Sequence, residues 1–193
     1  PVPAVLVGYA AISVCWGIHV DPDTVQLATS WSDPLTKLKF FGAAGIDRFS
    51  YFDLLLGRQI GGLGSANVGM ILLGGLYLVA RGTVRWQIPL AFLVGTAAVS
   101  GLFYLTAPEM YAPPMFHLLT GSVMLAAFFI ATDSACSPSR TAAMIIYGLL
   151  GGALVVLIRI YGMHVDGTAF AVLLASLVVP YCVLLRPKPF GVK

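Results

Sequence analysis

An all-α integral membrane protein with about six transmembrane helices is the fold class predicted by three features of this sequence. Of its 193 residues, 59% are hydrophobic and only 10% are charged. A soluble domain carries about a quarter charged residues, so this chain lacks the groups that wet such a surface. Mean hydropathy is +0.91. The apolar residues gather in six runs, most of them near the roughly 20 residues that cross a bilayer core. Lipid gives the backbone no hydrogen-bond partner, so each run is expected to be a helix. A soluble enzyme, a disordered tail and a nucleic-acid binder are excluded as first readings. The net charge of +3 rests on 11 Lys and Arg with no basic stripe for phosphates.

The first run, residues 3–18, opens without the basic residues of a signal peptide. The second run covers 65–80 and the third 88–107. The fourth covers 116–132, the fifth 141–161 and the sixth 167–185. The first two are short and are expected to need flanking residues or a tilt. Together the runs make one membrane domain over residues 1–193. Between the first two lies a long segment, 20–64, the least membrane-like part of the chain. Connections of that length are usually functional or mobile. Within it FSYFDLLLG reads as a short interfacial helix, and IGGLGSANVG leads into the second run with its glycines.

Charge alternates between the connections. Arg81 and Arg85 follow the second run, Arg140 precedes the fifth, and Arg186, Lys188 and Lys193 follow the sixth. Six sequential spans put these on one side, and the positive-inside rule makes that side the cytoplasm. Both termini are then cytoplasmic and segment 20–64 is external, with the chain integral to the cytoplasmic (inner) membrane.

No ionisable residue falls near the middle of a predicted span, which speaks against an autonomous proton-coupled carrier. Arg159 comes closest; snorkelling toward the interface is the plain reading, and pairing with Asp166, Asp21 or Asp23 is the other. Asp133 belongs to the opposite membrane face. Gly148 and Gly152 form a G-x-x-x-G, and Ser65 and Gly69 a second small-residue pair, both expected to serve close helix packing. Ser137 before Pro138 reads as an N-cap with proline at the first helical position. His117 reads as an interfacial residue. Cys15, Cys136 and Cys182 are far apart and read as packing residues, with no zinc or disulfide spacing among them. No haem, iron–sulfur or other metal motif is present.

Two blocks resemble a known family. The stretch from His117 to Lys193 contains a histidine-led run into AFFIATD, a small-residue turn, YG, IR-x-x-G, then DG-x-AFAVLL and a closing RP. LGRQIGGLGSANVGMILLGGLYLVARGTVRW adds a glycine-rich turn, an LLGG helix and an R-x-x-W exit. In order and spacing these resemble the RnfD/NqrB family, membrane subunits of the Rnf and Na+-NQR electron-transport complexes. The resemblance covers most of this chain and roughly the C-terminal half of a family member. It implies half of an inverted-repeat fold of the ammonium/urea-transporter type. It also implies other membrane subunits as partners, within the lipid bilayer.

Family members carry FMN on a threonine through a phosphoester bond. Their attachment motif is aspartate, two variable residues, Ser or Thr, Gly, Ala and Thr. In DTVQLATSWSDPLTKLK the matching residues are Asp23, Ala28 and Thr29. The resemblance therefore implies covalent FMN at Thr29. Gln26 stands where the family has a hydroxyl residue and Leu27 where it has glycine. Leu27 removes the backbone freedom that lets a phosphate approach closely. Ser65 also stands where the family has Glu after the glycine. Two functions follow. One is a subunit of an ion-translocating oxidoreductase complex, not a stand-alone enzyme, that passes electrons through FMN. The alternative is a flavin-free structural or accessory subunit of a respiratory or photosynthetic complex. A solute channel rests on fold analogy alone.

Overall fold

A computed structural model describes residues 3–15, 33–46, 49–59, 64–134 and 137–184, and every described element is helical. In chain order these are α1 (Ala4–Cys15), α2 (Pro34–Phe41), a 3-10 turn (Gly42–Gly45) and α3 (Tyr51–Leu56). There follow α4 (Val68–Ala80), α5 (Gln87–Thr106), α6 (Pro114–Leu119) and α7 (Val123–Leu125). α7 runs into a π-helical stretch, Ala126–Ile130, before α8 (Thr141–Tyr161) and α9 (Thr168–Leu184).

α5 and α8, with 20 and 21 residues, are long and apolar enough to cross a membrane. α4 and α9 are shorter apolar helices. The surface supports a lipid surrounding. Leu73 is 63% exposed on α4, Leu102 and Leu105 are exposed on α5, and Ile145 and Ile146 on α8. So large an exposed apolar surface suits a bilayer and not water.

The centre of the bundle is the α5–α8 seam. Gly148 and Gly152 face α5, as a packing role requires. A Cβ on Gly148 would stand 2.7 Å from Ala91 Cβ and 2.9 Å from Ile88 O. One on Gly95 would stand 2.5 Å from Leu149 O. The two backbones therefore touch, and only hydrogen fits between them. Thr96 Oγ1 donates to Phe92 O on its own helix (2.9 Å) and to Gly152 O across the seam (3.4 Å). α9 also packs on α8, and Gly151 of α8 meets both the Phe92 ring of α5 and Ala175 of α9.

Several features differ from the sequence reading. Residues 116–132 do not form one helix. Pro114 starts α6, and Gly121 at φ +67° ends its run, because that left-handed backbone turns the chain out of the helix. Ser65 is not on a helix with Gly69. Asn67 caps α4, its side chain accepting from Met70 N at 3.2 Å, so the helix begins at Val68. Ser137 and Pro138 precede α8, which begins at Thr141 with no side-chain cap; Ser137 N instead donates to Asp133 O at 2.9 Å. Cys15 is exposed on α1 and is not a packing residue. Segment 20–64 holds α2, the 3-10 turn and α3, and the last of these lies where a short helix was expected.

The two ends of the bundle are tied differently. At one, Arg85 Nη1 donates to Ser139 O at 2.9 Å, joining the α4–α5 and α7–α8 connections. At the other, Lys39 Nζ donates to Gly162 O (2.6 Å) and His164 O (3.1 Å), joining α2 to the α8–α9 connection.

Candidate functional site

The second end holds the densest polar cluster among the described residues. It is built around the break between α6 and α7. A helix that stops leaves its last carbonyls without partners, and inside a membrane protein they need protein donors. Arg159, in the last turn of α8, supplies them. Its Nη1 donates to His117 O and its Nη2 to Thr120 O, each at 2.9 Å. Nη2 also meets Asp166 Oδ1 at 3.0 Å. The guanidinium is planar and presents several donors in a fixed fork, which suits three acceptors on two segments, the end of α6 and the α8–α9 connection.

Asp166 lies in the α8–α9 connection and completes the knot. It accepts from Ser122 N at 2.8 Å, from Ser122 Oγ and from Thr168 Oγ1. Burial pushes its carboxyl up, but the Arg159 charge and the hydrogen bonds from Ser122, Thr168 and Arg159 outweigh burial. They hold it below its ordinary 3.8. Gly121 is required where the chain passes this pair. A Cβ there would stand 2.5 Å from Arg159 Nη2 and 3.0 Å from Asp166 Cγ.

Gln59 serves the same helix from another side. Its Nε2 lies 3.2 Å from Leu119 O and 3.2 Å from Ala66 O, and 3.3 Å from Leu54 O. The residues after α3 and the turn before α4 thus close on the end of α6. α2 is fastened to the same place. Asp33 caps it by accepting from Leu35 N, Leu35 is buried, and Lys39 grips the α8–α9 connection.

A cavity of about 430 Å³ opens beside the knot, lined by Leu38, Lys39, Met110, Tyr111, His117 and Arg159 among others. His117 is 2% exposed and packed inside the protein. Arg159 does not snorkel. Its side chain is 2% exposed and turned inward, because the carbonyls of α6 and Asp166 offer it more than solvent does. Of the partners open to Arg159 in the sequence, Asp166 is the one found. Asp133 is exposed and lies at the other end, beyond Ser137. Asp23, Ala28 and Thr29, with Asp21, Gln26 and Leu27, lie outside the described residues.

Gly121, Ser122, Thr168 and Gln59 were not singled out by sequence reasoning. The available signal was Thr120–Gly121–Ser122, three small or polar residues interrupting an apolar run. A break in a membrane helix needs partners, and Arg159 and Asp166 are among the few charged residues of this chain that could supply them.

A comparison with known proteins decides the family. The profile of the NQR2, RnfD, RnfE family matches residues 1–191. The chain belongs to this family. Among its relatives is the D subunit of the ion-translocating oxidoreductase complex of Pectobacterium carotovorum, 45% identical over 140 residues, which are 71% of this chain and 40% of that protein. The protein of the same description from Aeromonas salmonicida is 45% identical over 188 residues, 96% of this chain and 51% of its own length. That from Escherichia coli is 38% identical over 192 residues, 94% of this chain and 54% of its own. The chain therefore spans about half the length of these relatives, or less. In this member of the family, the resemblance in the LLGG segment has a structural counterpart. Gly75 is closed over by the Phe128 ring of the π-helical stretch, leaving no space for a side chain.

Proposed function

We propose that this protein is a membrane subunit of an ion-translocating oxidoreductase complex, of the RnfD type, and that Thr29 carries FMN. The observation that supports the reading is the family match across residues 1–191. The expected setting is a cytoplasmic membrane, with about six helices forming half of an inverted-repeat fold, cytoplasmic termini and segment 20–64 outside. Thr29 would hold the flavin, with Asp23 and Ala28 beside it in the attachment motif. When bound, the flavin supplies one- and two-electron transfer, chemistry that belongs to the cofactor.

The chain's own contribution is positioning. Asp33, four residues after Thr29, is the N-cap of α2. α2 is held by buried Leu35 and by Lys39, and the Arg159–Asp166 knot fixes the connection that Lys39 grips. An attachment point at residue 29 is then a short tether from a fixed helix. The chain between Thr29 and Asp33 reaches at most about 14 Å when extended.

Intact mass and in-gel fluorescence of the purified subunit test the proposal. A mass excess equal to FMN, with ultraviolet fluorescence lost in Thr29→Ala, is expected. An unmodified mass sinks the flavin and leaves the second reading, a flavin-free accessory subunit. Gln26 and Leu27 favour that second reading, because they replace the hydroxyl and glycine of the family's motif.

A further inference from the structure

The end of the bundle opposite the knot carries a different surface. α4 and the π-helical stretch finish there. α5 and α8 begin there, because Gly148 meets Ile88 and Gly152 meets Phe92, so the two helices run parallel. Arg81 and Arg85 flank the tight turn between α4 and α5, where Thr83 N and Val84 N fold back onto Leu78 O at 3.1 and 3.4 Å. The bond from Arg85 Nη1 to Ser139 O brings Arg140, the next residue, to the same rim. It uses one of the five N–H groups of that guanidinium. The Arg81 guanidinium lies 6.0 Å from the centre of the Tyr77 ring and has no hydrogen-bond acceptor among the described residues. All three arginines are exposed, and Asp133 is the one carboxylate at this end among the described residues. The described ion pairs, Arg58–Asp53 and Arg159–Asp166, lie at the other end, and neither Arg81 nor Arg85 enters one. α5 and α8 start without side-chain caps, so the positive ends of two helix dipoles add to the field of the arginines.

Below each arginine of the α4–α5 turn runs an exposed apolar stripe. Under Arg81 it is Tyr77, Leu73 and Met70, at spacings of three and four along one face of α4. Under Arg85 it begins at Trp86 and continues through Leu90, Val94 and Leu102, at multiples of four along α5. Trp86 to Leu102 covers about 24 Å, past the middle of a hydrocarbon core about 30 Å thick. Trp86 and Tyr77, 57% and 61% exposed, stand between the charges and the stripes, where aromatic residues gather at a membrane surface. A soluble anion or an acidic protein segment matches the arginines and leaves both stripes uncovered. A molecule with a negative head and apolar tails matches both.

We propose that the rim formed by Arg81, Arg85 and Arg140 binds the headgroup of an anionic phospholipid, whose tails lie along the exposed stripes of α4 and α5. The site rests on the membrane setting proposed above and is independent of any modification of Thr29. It needs no assignment of this end to either side of the membrane. The headgroup bridges the α4–α5 turn and the start of α8.

The test uses the delipidated full protein in detergent, followed by native mass spectrometry. It is titrated separately with dioleoylphosphatidylglycerol, with dioleoylphosphatidylcholine, which has the same tails and phosphate but no net charge, and with glycerol phosphate, which has no tails. Phosphatidylglycerol is expected to bind at least tenfold more tightly than either. A basic residue near an anionic headgroup is worth about fivefold in affinity. Arg81→Gln is therefore expected to weaken phosphatidylglycerol about fivefold, and Arg81→Gln with Arg85→Gln about 25-fold. Arg58→Gln removes an equal charge from the other end and is expected to leave the affinity unchanged. An unaltered melting temperature in Arg81→Gln separates lost binding from lost fold. Equal binding of phosphatidylcholine overturns the rim and leaves the membrane setting intact. Equal binding of glycerol phosphate overturns the lipid as the source of the anion. A hexaglutamate peptide that binds more tightly than phosphatidylglycerol gives the rim to an acidic protein partner instead. Full affinity in Arg81→Gln, or the same loss in Arg58→Gln, overturns the site, even if the double variant does not fold.

Discussion

The α5–α8 seam and the Arg159 knot lie along the same helix, α8, and hold it by opposite means. Along the seam the contacts are uncharged. Gly95, Gly148 and Gly152 bring backbones into contact, and Thr96 adds a hydrogen bond across them. At the knot, α8 ends in a buried cation that reaches a broken helix and a loop carboxylate instead of solvent. Lipid is as apolar as leucine, so burial of apolar surface cannot discriminate one helix arrangement from another. Close contact and polar satisfaction remain, and this chain uses one along α8 and the other at its end. The seam tolerates no added volume. The knot tolerates no lost partner.

Four variants break or sharpen that contrast. The largest effect is expected from Arg159→Met, which leaves Asp166 charged and the carbonyls of His117 and Thr120 unpaired. Removing one partner of a buried pair costs about 3–5 kcal/mol. Adding Asp166→Asn to it is expected to recover part of the loss, measured as melting temperature in one detergent. A double variant no better than Arg159→Met would show that the carbonyls, and not the charge pair, carry the knot.

Gly152→Leu comes next. Its side chain would have to enter the space held by Phe92 O and Thr96 N. Overpacking costs about 1–3 kcal/mol, and a lowered melting temperature with poor complex assembly is expected. Wild-type stability in this variant would mean that α5 and α8 move apart freely, which contradicts a seam set by backbone contact.

The third effect depends on pH. Asp166 has its carboxyl held below the ordinary 3.8. Its contribution is therefore fully present above 3.8 and is lost as pH falls through the lower folded value. The gap in melting temperature between wild type and Asp166→Asn should hold from pH 7 to about 4 and close only below that. Asp33 acts in the opposite sense. Burial lifts its carboxyl, against hydrogen bonds from Thr36 and Leu35, so its contribution fades as pH rises through the lifted value. Asp166 is one of the charges that lift Asp33, so the comparison is made with Asp33→Asn in both proteins. A gap that closes already at pH 5.5 would show that Asp166 is not depressed.

The smallest effect is expected from Asn67→Ala, which removes only the cap of α4. The cost of a lost cap is about 1 kcal/mol. A larger loss would mean that the turn at 64–67 is coupled to Gln59, which donates to Ala66 O.

Composition and run length were enough to read the helical class, because lipid leaves the backbone one local solution. The long helices α5 and α8 were legible almost to their ends for the same reason. So was the packing role of Gly148 and Gly152, since small residues four apart on an apolar helix have few other uses. The break at Gly121 was not. Thr120 and Ser122 are mild interruptions on a hydropathy scale, and nothing local shows that an arginine 39 residues after Thr120 holds the freed carbonyls. For the same reason Arg159 read as a residue on its way out to solvent. Its partners are carbonyls, which every residue has, so no pattern of side chains announces them. The stretch around Thr29 is a different case, since its expected role rests on the family resemblance alone and it lies outside the described residues.

The π-helical stretch Ala126–Ile130 has a consequence for alignment of faces. Ala131 N reaches back to Ala126 O at 2.7 Å, so one turn holds an additional residue. An α-helix advances about 100° per residue, so one surplus residue rotates everything beyond it by that angle relative to a regular helix. The rotation changes which side chains of α7 and of the π-helical stretch share a stripe. Phe128, on the widened turn, covers Gly75, while Phe129 reaches Gly74. Deleting a single residue here would restore a regular helix and put the aromatic pair out of phase with the two glycines it covers. In this family member the spacing of FFIATD from the Gly121 break is thus a phase setting, and its length matters as much as its composition.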